Sequence, residues 1–354
     1  MEVSRKIKRI AVVLTVLMGL MVATSVLTVA GETDPLLPGK GVKFQPINDP
    51  YLANAFHQAI LALILEELGY EWENKPQFII IDQPLKHASV AKGETPWNAG
   101  YWHPNQNLLF GNAGGGPRSE NPKMFIAGTA IDGNVNSYSI DKKTADKYGI
   151  TNLGQFKDPE IAKLFDNDGD GKADLIGCIP GWACADAINY HIEAYGLTDT
   201  VTHHQSPYNV MIADTIARYK RGEPFFRHAW TPDWSHVILK PGIDAITLAV
   251  PFSAWHTDPK MDTTLPDGRN TGFPACSIKT FVNTKWSEKN PAALKLMELF
   301  TIPIQASSNA IWESREKGET FELYHELAEK WIAENRKQVD AWLKEARSAA
   351  AKAK

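Results

Sequence analysis

The spacing of apolar residues changes character along this chain, and each change predicts a different element. Arg5, Lys6, Lys8 and Arg9 precede a predominantly apolar run from Ile10 to Val29, and Thr28-Val29-Ala30 puts small residues just before Gly31. That order of basic, apolar and small residues reads as a secretory signal over residues 1–30. The run of about 20 residues also has the length a spanning helix needs, so a cleaved signal and a retained anchor both stay open. No Cys lies at the end of the run, which argues against lipid attachment there. Beyond it, Phe56, Ile60, Leu63, Ile64 and Leu68 share one helical face before a stop at Gly69, and short strands over Gly41 to Ile47 and Phe78 to Ile81 flank them. Tyr138 to Ile140 predicts a strand, and Asp141 to Tyr148, Asp158 to Phe165 and Ala185 to Ala194 predict helices. Asn290-Pro291 predicts a helix start through an Asn cap and a first-turn Pro, and a Glu/Lys/Ala-rich amphipathic helix closes the chain from Phe321 to about Ala346. Interleaved helices and strands, with no internal repeat, imply an α/β fold whose sheets are covered by helices.

Composition narrows the class. The 354 residues are 44% hydrophobic and 22% charged, as in folded soluble proteins, and suffice for two domains or one large one. Residues 1–30 carry a net +3, so removing them from the formal −4 of the whole chain leaves −7. A mildly acidic body without a basic patch excludes a nucleic-acid partner. No second apolar run reaches spanning length.

Several chemical signatures are weak or missing. Gly111-Asn-Ala-Gly114-Gly115-Gly116-Pro117 matches neither phosphate-loop form and reads as a flexible surface loop. There is no G-x-S-x-G elbow, and His325-Glu326-Leu-Ala-Glu329 lacks the second His of a zinc-protease helix. Asp166, Asp168, Asp170 and Asp174 with Gly171 match loop positions 1, 3, 5, 9 and 6 of a calcium loop, but Gly177 stands where its bidentate Glu belongs. A weak calcium site and a structural loop of Asx turns are both open, and no metal is assigned. In an exported chain, Cys178 and Cys184 flanking Pro180-Gly181 suit a disulfide, the alternative being two separate buried thiols. Cys276, left over, reads as a small buried hydrophobe.

Tryptophan is the compositional oddity, eleven against ten Tyr. Trp102 stands before His103-Pro104, Trp182 after Pro180-Gly181, and Trp230 before Thr231-Pro232. Such breaks are where ligand-contacting loops are mounted. Three Trp faces around one cavity attract a cation that cannot be hydrogen-bonded, a quaternary ammonium; the alternative for each is simple core filling.

The segments Asp141-Lys-Lys-Thr-Ala-Asp146, Asp158-Pro-Glu-Ile-Ala-Lys-Leu-Phe165, Gly169-Asp-Gly-Lys-Ala-Asp-Leu175, Gly177-Cys-Ile-Pro-Gly-Trp-Ala-Cys184, Ala213-Asp-Thr-Ile-Ala-Arg-Tyr219 and Trp230-Thr-Pro-Asp-Trp234 resemble the periplasmic glycine betaine/proline betaine-binding proteins of ABC importers. The resemblance runs from about Leu37 to Ala346, with an insertion-like loop near 111–122. It implies a two-lobed periplasmic-binding-protein fold of type II, with the ligand in the interlobe cleft. The first lobe would combine residues 31–137 with 276–354, and the second would span 138–275. It implies that the family's three-Trp box falls on Trp102, Trp182 and Trp230, and that backbone N–H groups of Ala183 and Cys184 hold the ligand carboxylate. A helix start at these residues would present N–H groups to an anion, which is an independent reason for the same assignment. The family's carboxylate-binding His is replaced by Gln106, which can donate a hydrogen bond but has no charge, while His103 directly follows Trp102. Either His103 substitutes, or the carboxylate is held more weakly, or the preferred ligand differs. By resemblance the chain is a monomeric, periplasmic osmoprotectant-binding protein without cofactor or catalysis. It would deliver betaine to an inner-membrane permease and its ATPase, with carnitine, choline and dimethylsulfoniopropionate as alternative ligands.

Overall fold

The computed structural model describes residues 34–353, so the expected signal over 1–30 lies outside the described residues. Among these, no helix is long and apolar enough to cross a membrane. Two sheets organise the body. A three-stranded antiparallel sheet has the order β5-β12-β6, from strands Trp97–His103, Cys276–Asn283 and Met124–Asn134. A mixed five-stranded sheet has the order β11-β7-β10-β8-β9, from Ala245–Leu248, Asn136–Asp141, Phe226–Trp230, Ala173–Ile176 and Val201–His204.

Each sheet anchors its own core. The first is built on the helix Ala55–Glu66, in which every residue but the last is buried. A helix buried on every side must be covered on every side, and it is enclosed by the sheet and by the helices Pro291–Leu299, Ile304–Lys317 and Phe321–Glu334, its polar His57 and Gln58 bonding to Ala99 O and Asn48 Oδ1. The second core gathers residues of the five-stranded sheet with the helices Ala183–Ala194 and Tyr208–Arg221. Tyr51, Ala53 and Ile311 join this second core although their neighbours in sequence pack in the first. The chain leaves the first sheet at Asn134, enters the second at Asn136 and returns at Cys276. Around Val135, Asn134 Nδ2 donates to Thr231 O at 3.0 Å and Thr231 N to Val135 O at 2.9 Å.

Most predicted elements are present, with four differences. The strand expected over Gly41 to Ile47 is two short ones, Lys43–Phe44 and Ile47–Asn48, because Pro46 between them has no N–H to continue a ladder. Only Ile79–Ile80 of the second expected strand pairs, with Ile47–Asn48. Asn290 does not cap with its side chain; its amide closes the preceding helix by donating to Trp286 O at 2.9 Å, while Pro291 takes the first turn as expected. The closing helix is broken at Asn335, whose main chain leaves helical geometry at φ −112° and ψ 25° while its main-chain N–H and its side-chain amide both donate to Trp331 O, at 3.0 and 2.8 Å. The Asp141 and Asp158 caps do form, accepting from Thr144 N and Glu160 N.

The acidic loop makes Asx turns. Asp166 accepts from Gly169 N at 2.7 Å and Gly171 N at 2.9 Å, Asp168 from Asp170 N, and Asp170 from Lys172 N. Asp174 accepts from Asn167 N and contacts His204 Nε2. The carboxylates are thus used in shaping the turn. Cys276 is buried in the first strand position of β12, and burial raises its thiol pKa.

One close approach fixes the first core. A Cβ on Gly128 of β6 would lie 2.3 Å from Met297 O in the helix Pro291–Leu299. Gly128→Ala is expected to cost about 1–3 kcal/mol in urea unfolding, since backbone rather than a movable side chain is in the way. An unchanged midpoint would show that the helix can slide.

Candidate ligand site

Three breaks in regular structure bring the site together. Trp102 is the penultimate residue of β5, after which the chain turns through Pro104 and Gln106 N bonds back to Trp102 O at 2.8 Å. Trp182 is the residue before the helix Ala183–Ala194, extended at φ −87° and ψ 141°. The main-chain N–H groups of Ala183 and Cys184, which follow it, have no carbonyl one turn earlier to take. Trp230 ends β10 immediately before Thr231-Pro232. Residues in sequence at 102, 182 and 230 therefore line one cavity, with about 430 Å³ of atom-free space including its opening to solvent.

Of the residues singled out by sequence, Trp102, Gln106, Trp182, Ala183, Cys184 and Trp230 line this cavity. His103 does not. Its ring lies edge-on to Tyr101, with centroids 5.7 Å apart, and burial together with the nearby Lys279 ammonium lowers its pKa. A strand side chain next to Trp102 points to the opposite face, which is the physical reason the two do not meet in the cavity. The disulfide joins Cys178 to Cys184 with Cα atoms 5.8 Å apart, tying the approach loop to the first turn of the helix.

The walls add residues that sequence reading missed: Asp49, Tyr51, Asn54, Gln83, Asn105, Asn136 and His228. Trp230 is clamped on several sides. Tyr208 lies 4.4 Å away by ring centroids, His228 5.5 Å, and Tyr51 stands edge-on at 5.6 Å. Both tyrosines are tethered to one buried carboxylate, with Tyr51 Oη donating to Asp233 at 2.9 Å and Tyr208 Oη at 2.7 Å. Asp233 also accepts from Ser235 N at 2.9 Å. Across the cavity, Asp49 is held by Lys86 Nζ at 3.1 Å and by Asn54 Nδ2 at 3.0 Å. Lys86 is itself buried and also donates to Gly100 O, so this wall is a satisfied ion pair rather than a free anion.

Electrostatically the site is built from rings and dipoles. None of its lining residues is Lys or Arg. Burial, reinforced by His203 and Arg227, depresses His228 to a pKa of about 3, so its ring is neutral through the physiological range. Asn105 Oδ1, Gln106 Oε1, Asn136 Nδ2, Trp182 Nε1 and His228 Nε2 are buried without a partner in the protein. A buried polar atom left unpaired costs about 1–3 kcal/mol, so a cavity wall carrying five of them is suited to a polar guest. Aromatic faces beside exposed N–H groups can hold a cation without N–H donors next to an anion. The hydroxyl of Tyr51 is committed to Asp233 and its pKa is raised by burial, so it is a poor nucleophile.

Comparison with known proteins agrees with this geometry. The chain is 43% identical over 315 residues to a glycine betaine/proline betaine-binding periplasmic protein of Escherichia coli K12, covering 88% of this chain and 92% of that one. It is 40% identical over 335 residues to a glycine betaine-binding periplasmic protein of Dickeya dadantii, covering 94% and 98%. A glycine betaine/L-proline-binding protein of Borrelia burgdorferi superposes with a TM-score of 0.65 at 16% identity, covering 87% and 99%. A lactococcal protein solved closed on glycine betaine gives 0.61 at 18%, covering 85% and 99%. The structural matches establish the two-lobed periplasmic-binding-protein fold of type II. Residues 50–334 match the substrate binding domain of ABC-type glycine betaine transport systems, and the chain belongs to that family.

Proposed function

We propose that this protein captures glycine betaine or proline betaine outside the cytoplasm and hands it to an ABC permease and its ATPase, as a monomer and without catalysis. The observation that carries this reading is the meeting of Trp102, Trp182 and Trp230 in one cavity beside the N-terminus of the helix Ala183–Ala194. The rings take the trimethylammonium group, and the Ala183 and Cys184 N–H groups take the carboxylate. Two lobes, 31–137 with 276–354 and 138–275, close over it. The change of sheet between Asn134 and Asn136 and the return at Cys276 support a division close to these bounds, and the bonds around Val135 and Thr231 support a hinge there. The disulfide limits the motion of the loop that carries Trp182, reducing the order that binding must impose. Gln106, on the cavity wall, offers its amide to the carboxylate in place of a charged His.

Calorimetric titration with glycine betaine, with choline and dimethylglycine as controls, tests the reading. Micromolar affinity is expected for betaine, weakened at least roughly tenfold when either the carboxylate or the third methyl is missing. The affinity should be the same at about pH 5.5 and pH 8. His228 stays neutral between these values and His103 lies off the cavity, so no group facing the ligand changes charge. Loss of binding through this window would put a titrating His in contact with the ligand, and absence of heat with betaine would overturn the assignment. Carnitine and dimethylsulfoniopropionate then become the ligands to titrate.

A further inference from the structure

We propose that Gln83 is a placeholder for the ligand's carboxylate and, by competing with it for one N–H, tempers the preference for a zwitterion over a bare cation; this rests on the betaine reading above. Gln83 opens the helix Gln83–Lys92, is 6% exposed and lines the cavity. Its main chain is fixed by that helix, and its carbonyl accepts from the buried His87 Nδ1 at 2.8 Å. From this position its side chain reaches the second core, where Oε1 accepts the N–H of Ala183 at 3.4 Å. That is one of the two main-chain donors assigned to the carboxylate.

The chemistry of the two acceptors orders the outcome. A carboxamide oxygen and a carboxylate oxygen fit the same N–H, but the charged acceptor makes a shorter bond about twice as strong. At 3.4 Å the present contact is longer than an ordinary N–H···O bond, so an arriving carboxylate displaces it. In the closed, empty form Gln83 keeps the Ala183 N–H from being buried unpaired and ties the two cores across the cleft. A ligand with a cationic head but no anion has nothing with which to displace it. Gln83 thus competes with the carboxylate alone, and its substitution should change the ranking of ligands rather than weaken all of them.

Two variants, Gln83→Ala and Gln83→Glu, are titrated with glycine betaine and with choline alongside the unaltered protein. Gln83→Ala removes the competitor and is expected to tighten betaine roughly two- to tenfold while leaving choline within about twofold. Gln83→Glu puts a carboxylate on the protein at the same N–H. It should repel the betaine carboxylate and supply a counter-charge to choline, so the betaine-to-choline preference falls at least roughly tenfold. An unchanged ratio in Gln83→Ala overturns the placeholder, and so does a Gln83→Glu that weakens both ligands equally. Thermal unfolding of each variant checks folding, and if Gln83→Glu does not fold, Gln83→Ala decides alone. If the unaltered protein binds neither compound, the betaine reading fails and the placeholder with it. If it binds betaine and the variants keep its ratio, the placeholder alone fails.

Discussion

Replacing Trp230 by alanine is expected to lower the affinity for glycine betaine by more than about tenfold, the largest loss from any one side chain of the site. A desolvated cation–π contact contributes up to about 2 kcal/mol, and about 1.4 kcal/mol is a factor of ten. Trp230 should exceed that because its ring is also the surface on which its neighbours rest. Tyr208 and Tyr51 pack against it, and both are held in place by Asp233. Removing the indole leaves a space into which these rings can lean, so the remaining walls lose their geometry as well. Trp230→Phe keeps a ring face and much of the volume, and is expected to recover most of the affinity. Equal loss in both variants would mean that the indole N–H or the full bicyclic area, rather than an aromatic face, is read by the ligand. Unchanged affinity in Trp230→Ala would remove this residue from the box.

A second large effect is expected in acid. His57, His87, His191 and His228 are all buried, and burial lowers their pKa values to about 4, 3, 4 and 3. Their partners suit the neutral ring. His191 Nε2 lies 2.8 Å from Ala254 O, where it donates, and its Nδ1 lies 2.7 Å from Tyr138 Oη, from which it accepts. Protonating Nδ1 would destroy that acceptor. The sign of the linkage follows from the depressed values. Above pH 6.5 both folded and unfolded forms are neutral and these groups have no effect. As the pH falls below 6.5 the unfolded chain takes up protons that the folded chain refuses, so stability declines until the folded pKa values are reached. Each such group contributes about 1.4 kcal/mol per pH unit of that gap, against a total stability of only about 5–15 kcal/mol. The melting temperature should therefore drop steeply between about pH 6 and pH 4. His191→Gln, which keeps a neutral donor and acceptor, should make the decline shallower. A melting temperature constant across this interval would show that the burial of these rings is relieved before unfolding.

Legibility in the sequence followed the range of the interactions. The helix Ala55–Glu66, the Asp141 and Asp158 caps and the disulfide rest on neighbours a few residues apart, and their signals lie in short spans of sequence. The three tryptophans were visible one by one because each stands at a Pro or Gly that ends an element, and the resemblance joined them into one box. Gln83 meets Ala183 across 100 residues and Tyr51 meets Asp233 across 182, and nothing local to Gln83 or Tyr51 marks them. Both stand beside Pro, as Asn105 does, which is the one signal of a turn that could have been followed. His103 misled because adjacency in a strand places two side chains on opposite faces. Asn335 misled because an amphipathic pattern can run on through a residue whose main chain leaves helical geometry.

The single carboxylate of Asp233 joins parts that the proposed opening would separate. Tyr51 comes from the stretch leading into the helix Ala55–Glu66, whereas Asp233, Tyr208 and Trp230 belong to the other side of the cleft. If the lobes part as proposed, the Tyr51 bond to Asp233 would break and its ring would leave the edge of Trp230. Opening therefore dismantles a wall of the box instead of merely uncovering it. On the proposed lobe division, opening would leave Trp182, Trp230 and the Ala183 and Cys184 N–H groups on one side without Trp102 and Tyr51 to close the box, so the dwell time of the ligand would follow how often the cleft opens. A permease that pulled the lobes apart would, on the proposed transport role, receive the solute from a box already missing one wall.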